Sequence, residues 1–62
     1  MKNKLKEFRK EKGMSQTTLA YETGVSQRYI AFIEDGYRTP SLRLALKISK
    51  VLGSTIDAIF LP

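Results

Sequence analysis

The chain has 62 residues, of which eleven are basic and six acidic, and it contains neither cysteine nor histidine. A chain of this length buries only ~60% of the surface that it exposes when unfolded, so we expect one domain over residues 1–62 and no deep substrate cavity. The lack of cysteine excludes a disulfide framework and thiolate metal sites. The lack of histidine removes the commonest metal ligand and the usual general base.

The charge and hydropathy of the chain indicate its surroundings and its partner. The net charge of +5 favours a polyanionic partner, although a need for solubility explains part of it. No apolar run reaches the ~20 residues of a membrane span, and the basic N-terminus lacks the apolar segment of a signal peptide. We therefore expect a cytoplasmic protein that has no membrane partner.

Two short helices joined by a tight turn are the clearest elements of the N-terminal half. Helix formers over residues 2–12 predict a first helix. Ser15 and Ser26 are each placed to cap a further helix by accepting a hydrogen bond from a free backbone N–H. Gly24 lies between them, where the turn needs a positive φ that glycine adopts without steric cost. The second helix and the third, over about residues 27–35, thus form a helix-turn-helix.

Two more helices are predicted in the C-terminal half. Ser41 caps a fourth helix that Gly53 ends, and Thr55 caps a short fifth one. Residues at three- and four-residue intervals mark a core face on the fourth helix: Leu42, Ala45, Leu46, Ser49 and Leu52. A second apolar stripe follows beside it: Leu44, Ile48 and Val51. The helix is thus apolar around much of its girth, and we expect it to be central in the fold or shared with a partner. No strand signal is present, so the predicted fold is a compact all-α bundle of five helices.

Gln27 and Arg28 are candidate binding residues at the exposed start of the third helix. Arginine bonds guanine bidentately and glutamine does so with adenine, and each pair gives ~1–3 kcal/mol of discrimination between bases. The first residues of the second helix of a helix-turn-helix meet base edges in the major groove. We expect these two side chains to contact bases or phosphates; the alternative is that both only solvate a helix end.

The chain from Leu5 to Phe60 resembles the Cro/repressor-type, or XRE-like, helix-turn-helix family of bacterial and phage regulators. The joint spacing of these residues carries the resemblance: Leu5, Arg9, Gly13, Ser15-Gln16, Leu19-Ala20, Gly24-Val25-Ser26, Ile30, Ile33-Glu34, Gly36, Pro40-Ser41, Leu42, Ala45, Ile48, Leu52-Gly53 and Asp57. It implies a lambda-repressor-like DNA-binding domain whose third helix enters the major groove. It also implies a transcription regulator, expected to be a repressor, that binds a palindromic operator in double-stranded DNA as a homodimer.

The resemblance assigns roles to further residues. It implies contacts to the DNA backbone from Gln16, Ser26, Tyr29, Arg38, Thr39 and Arg43. The alternatives are a plain helix former for Gln16, a half-buried aromatic for Tyr29 and a solvated surface for the arginines. The resemblance also implies that Arg9 and Glu34 form a partly buried ion pair, which ties the first helix to the third.

Ala31 and Phe32 stand on the outward side of the third helix. Phe32 departs from the family, many members of which carry a polar or basic residue at this position. An apolar pair is able to contact thymine methyl groups, and we therefore add both residues to the expected base contacts. The alternatives for Phe32 are a surface for a protein partner or packing under the loop at Tyr37.

The short last helix bears on the oligomeric state. The resemblance places a two-fold interface at this end together with the start of the fourth helix, and the candidate residues are Ile56, Asp57, Ile59 and Phe60. The alternative is that part of this apolar set caps the core of the monomer itself. A two-fold dimer would hold two third helices about 34–36 Å apart, which is one turn of DNA.

The remaining residues argue against an enzyme and leave one alternative function open. The six carboxylates form no clear paired site and there is no phosphate-cradling glycine loop, so we expect no enzyme, no cofactor and no metal. The alternative function is an antitoxin-like or other protein-interaction module, because similar folds bind a protein partner as well as their own operator. An apolar surface at Phe32 is the feature that would support it.

Overall fold

Five α-helices make up the regular structure of the computed structural model, which describes residues 3–61. They are α1 (Leu5–Glu11), α2 (Gln16–Thr23), α3 (Gln27–Glu34), α4 (Leu42–Val51) and α5 (Ile56–Phe60). The described part of the chain contains no strand, which confirms the all-α prediction. The predicted start of the first helix at Lys2 lies outside the described residues, and α1 begins at Leu5.

Hydroxyl side chains cap the N-terminal ends of four of the helices, as predicted. Each of them accepts a hydrogen bond from the backbone N–H three residues further on, at 3.0–3.2 Å: Ser15 for α2, Ser26 for α3, Ser41 for α4 and Thr55 for α5. Such a bond satisfies one of the free N–H groups that every helix start carries. The positions of the caps therefore fix where each of these helices begins.

The turn between α2 and α3 depends on Gly24. Its φ is +78°, in the left-handed region, and its N–H donates to the carbonyl of Ala20 at 2.8 Å. The N–H of Val25 donates to the same carbonyl at 3.1 Å, which closes the end of α2. The chain can then enter α3 two residues later, with α3 packed directly against α2.

One apolar core joins all five helices. Helix α2 packs on α3 and α4, α4 packs on α5, and α1 packs on α3 and α5. The buried apolar residues are Leu5, Leu19, Ala20, Ile30, Ile33, Ala45, Ile48, Leu52, Ile59 and Phe60. The core face of α4 therefore differs from the predicted one, because Leu42 and Leu46 are 70% and 48% exposed. The side of α4 that faces the bundle takes residues from both predicted stripes, with Ala45, Ser49 and Leu52 from the first and Ile48 from the second.

The beginning of α1 is tied to two other helices. Asn3 accepts a hydrogen bond from the N–H of Leu5 and donates from Nδ2 to the carbonyl of Ile33 at 2.8 Å. The N–H of Lys4 donates to the carbonyl of Ile59 at 2.7 Å. The chain before α1 thus connects the last residues of α3 with α5.

Candidate nucleic-acid interface

The N-terminal ends of α2 and α3 meet at one place on the surface. Gln16 is the first residue of α2 and Gln27 the first residue of α3. The Nε2 of Gln27 donates to the Oε1 of Gln16 at 2.6 Å, so the two helix starts lie side by side. The free N–H groups and the positive dipole end of a helix favour an anion, and here two such ends adjoin.

A buried ion pair lies directly behind these two glutamines. Arg9 donates from Nε to the Oε2 of Glu34 at 2.6 Å and from Nη2 to Oε1 at 3.2 Å, and their side chains are only 8% and 1% exposed. Arg9 also donates from Nη1 to the carbonyl of Met14 at 2.8 Å. The Nε2 of Gln16 donates to the Oε1 of Glu34 at 3.0 Å. The four side chains form one continuous chain of hydrogen bonds from α1 through α3 and α2 back to the start of α3.

The residues expected to contact bases differ in their exposure and in the side-chain contacts that hold them. Gln27 and Arg28 are exposed, and Gln27 alone is held by another side chain in this structure. Ala31 is half-buried on the same helix. Phe32 is 38% exposed and meets the ring of Tyr37 edge to face, with the ring centroids 6.3 Å apart. Phe32 therefore keeps an open face while its ring also holds the loop that follows α3.

The residues expected along the DNA backbone fall into three groups. The hydroxyl of Ser26 is engaged as the cap of α3, and Tyr29 is half-buried against the core. Gln16 is held between Glu34 and Gln27. The other three lie on the exposed surface in and after the loop that follows α3: Arg38, Thr39 and Arg43.

The structure divides the residues expected at a dimer interface. Ile59 and Phe60 are 0% and 5% exposed, so their side chains fasten α5 to the core and leave almost no surface for a partner. Their burial favours the alternative, in which this part of the apolar set caps the core of the monomer. Ile56 is half-buried and Asp57 is exposed. Helix α4 leaves Leu42 and Leu46 uncovered, and Leu42 stands at the start of α4, which the resemblance also places at the interface.

Two features of the site have no signal in the sequence. The hydrogen bond between Gln16 and Gln27 and the contact between Gln16 and Glu34 join residues eleven and eighteen positions apart. Gln16 lies on α2 whereas Gln27 and Glu34 lie on α3, so only the packing of α2 on α3 brings the groups together. The pair of Phe32 and Tyr37 was raised only as one alternative for Phe32.

Residues 3–61 form neither a membrane span nor a cluster of metal ligands. Among residues 3–61, no helix has the length and apolar character that crossing a bilayer requires. Those residues also hold no group of three or more acidic side chains placed to bind a metal ion. A cleft of about 260 Å³ lies between the C-terminal ends of α1 and α4, and none of the predicted site residues lines it.

A bundle in which the starts of α2 and α3 meet beside exposed polar side chains is a helix-turn-helix DNA-binding fold. A family model described as helix-turn-helix matches residues 5–59. The chain therefore belongs to the XRE-type helix-turn-helix family of transcription regulators.

Relatives and solved structures agree with this family. An HTH-type transcriptional regulator of Methanocaldococcus jannaschii is 48% identical over 61 residues, which are 98% of this chain and 92% of the relative. The restriction-modification controller protein C.AhdI from Aeromonas hydrophila has a similar fold, with a TM-score of 0.81 and 37% identity over 87% of this chain and 82% of that one. The biofilm regulator SinR, solved in complex with DNA, gives a TM-score of 0.79 and 37% identity over 86% of both chains.

In two further matches the fold forms only part of a longer chain. In the complex of SinR with SinI, the match covers 86% of this chain and 52% of the chain it matches, with a TM-score of 0.79. The fold also forms part of hydroxypropylphosphonic acid epoxidase from S. wedmorenis, with a TM-score of 0.81 and 31% identity, and the match covers 29% of that chain.

Proposed function

We propose that this regulator is a repressor that binds a palindromic operator as a homodimer, with α3 in the major groove. The observation that carries the proposal is the junction of the α2 and α3 starts, where two positive helix ends adjoin exposed Gln27 and Arg28. Helix starts and the exposed arginines bind phosphates without regard to sequence, and the first residues of α3 read the bases. The SinR structure supports this assignment, because SinR was solved bound to DNA.

The hydrogen bond from Gln27 to Gln16 specifies what Gln27 can read. One Nε2 proton of Gln27 is used on Gln16, which leaves the other proton and the oxygen Oε1. A donor beside an acceptor is the pair that adenine matches in the major groove, through its N7 and its N6 amino group. We therefore assign adenine to the operator position that faces Gln27 and guanine to the one that faces Arg28.

The test of DNA recognition is fluorescence anisotropy with an operator selected from a random DNA pool and a scrambled control, over a series of salt concentrations. We expect a preference of ~10³-fold or more for the selected site and an affinity that falls steeply with salt. Arg28→Ala should reduce the discrimination at one base position by about 5- to 150-fold. Lys10→Ala, which removes the same charge from an exposed position on α1, should weaken binding to both DNAs slightly and to the same extent. Equal binding to both DNAs by the unchanged protein would contradict the proposal.

The dimer is proposed to form through the uncovered surface of α4 together with the start of α5. Leu42 and Leu46 are one helical turn apart and exposed, and Ile56 and Asp57 begin α5, which packs on α4. Leu46→Glu should yield a monomer in analytical ultracentrifugation and abolish cooperative binding to a palindrome. Tyr21→Glu is the control, because Tyr21 is a large side chain on α2 that is still more exposed, at 83% against 48% for Leu46. A Leu46→Glu protein that still dimerises would contradict this interface.

A protein-interaction module is the second candidate function. The exposed aromatic pair of Phe32 and Tyr37 favours it, and SinR, which has this fold, was also solved in complex with the protein SinI. If Phe32→Ala abolishes activity in the cell while Arg28→Ala is harmless, this function replaces the first. The opposite pattern supports the repressor.

A further inference from the structure

The chain of hydrogen bonds behind Gln27 has a direction that Glu34 sets. A carboxylate accepts hydrogen bonds and donates none, so the atom of Gln16 that lies 3.0 Å from the Oε1 of Glu34 must be the amide nitrogen. The oxygen of Gln16 then has to face Gln27, and it can only accept there. The atom that Gln27 turns toward Gln16 must therefore be its own nitrogen.

We infer that Glu34 is a positioning residue for base recognition, although its side chain is only 1% exposed and its hydrogen bonds go to Arg9 and Gln16. Its carboxylate fixes the orientation of the Gln16 amide, and through it the side on which Gln27 presents its donor and its acceptor. The inference rests on the proposed role of Gln27 in reading adenine. Arg9 contributes by holding the carboxylate in place with two hydrogen bonds.

Glu34→Gln reverses the direction of this chain of bonds. The shorter contact of Arg9, from Nε at 2.6 Å, keeps an oxygen on the Oε2 side. The new amide nitrogen then takes the Oε1 side, where it loses the longer bond from the Nη2 of Arg9 at 3.2 Å and faces Gln16 as a donor. Gln16 has to turn its oxygen toward position 34 and its nitrogen toward Gln27. Gln27 must then accept this hydrogen bond with its own oxygen. The donor and the acceptor that Gln27 presents to the groove therefore exchange places.

The experiment measures the affinity of the full chain for operators that carry each of the four bases at the position facing Gln27. For the unchanged protein we expect adenine to be preferred by about 5- to 150-fold. Glu34→Gln should lower this preference by about tenfold or remove it. An unchanged adenine preference in folded Glu34→Gln would overturn the inference and leave the proposed function standing. No base preference in the unchanged protein would contradict both.

Two further variants separate orientation from packing. Combining Glu34→Gln with Gln16→Glu moves the carboxylate one step along the chain, so that an acceptor again faces Gln27. This double variant should recover the adenine preference, even though the carboxylate near the phosphates lowers the affinity for every sequence. Arg9→Lys keeps the carboxylate at position 34 and should lower the thermal stability without changing the preference. A preference that the double variant fails to recover, or that Arg9→Lys also removes, would overturn the inference.

A measurement on the unchanged protein covers the case in which Glu34→Gln does not fold. Of the two Nε2 protons of Gln16, the one that faces Glu34 should resonate downfield in the NMR spectrum and exchange slowly with water. Gln16→Ala should shift the carboxamide signals of Gln27. If both Gln16 protons behave like those of an exposed glutamine, the inference is wrong.

Discussion

Removing Glu34 should destabilise the fold far more than removing any exposed acid. In Glu34→Ala, Arg9 keeps only its bond to the carbonyl of Met14, and its Nε and Nη2 lose their acceptor inside a side-chain environment that is 8% exposed. Breaking a buried pair by deleting one partner costs ~3–5 kcal/mol, because the other charge stays buried and unpaired. A domain of 62 residues has a total unfolding free energy of about 3–9 kcal/mol, so this loss is a large part of it.

The assay is thermal unfolding followed by circular dichroism. In a domain of this size each kcal/mol shifts Tm by ~4–8 °C, so Glu34→Ala should lower Tm by about 12 °C or more. Glu11→Ala, which removes an exposed acid on α1, should shift it by only a few degrees. Combining Arg9→Met with Glu34→Leu should recover most of the loss, since no charge is then left unpaired. Equal and small shifts for Glu34→Ala and Glu11→Ala would refute the argument.

Three other changes test separate parts of the fold. Gly24→Ala should lower the free energy of unfolding, measured with urea, by about 1–2 kcal/mol, because a Cβ at φ +78° is strained although no atom blocks it. Gly24→Asn should cost less, which checks that cause. Asn3→Ala should cost about 1–2 kcal/mol through the loss of its bonds to Leu5 and Ile33, and a variant as stable as the parent would contradict the role of this link. Tyr37→Ala should cost about 0.5–1.5 kcal/mol by freeing the ring of Phe32, whereas Tyr37→Phe keeps the ring contact and should match the parent protein.

The order and limits of the helices were predictable because the signals are local. A serine or threonine that caps a helix acts within three residues, and a glycine that ends one acts at its own φ, so both can be recognised from the sequence alone. Four caps and the turn at Gly24 formed where they were predicted. The start of α1 at Leu5 has no such local signal, because no side chain of the N-cap residue Lys4 caps it and Asn3 instead joins the N–H of Leu5 to the distant carbonyl of Ile33.

The burial of the last two helices was harder to predict. Helix α4 carries apolar residues on two stripes, and periodicity alone cannot say which residues of each face the bundle. The buried side takes residues from both stripes, whereas Leu42 and Leu46 lie on the outside. In α5, the apolar residues Ile59 and Phe60 were consistent with a core or with an interface, and they lie in the core. The hydrogen bonds of Gln16 depend on the rotamers of residues on three helices, which a sequence pattern does not contain.

The first and last described residues lie at one corner of the bundle, away from the end of α3 that is proposed to read bases. The N–H of Lys4 bonds the carbonyl of Ile59, and Asn3 bonds Ile33 near the last turn of α3. Gln27 begins the same helix, about 9 Å from Ile33 along its axis. Because the chain has no cysteine, a fluorescent label on Leu61→Cys, at a side chain that is 66% exposed, would thus sit beside this corner and leave the start of α3 open to DNA.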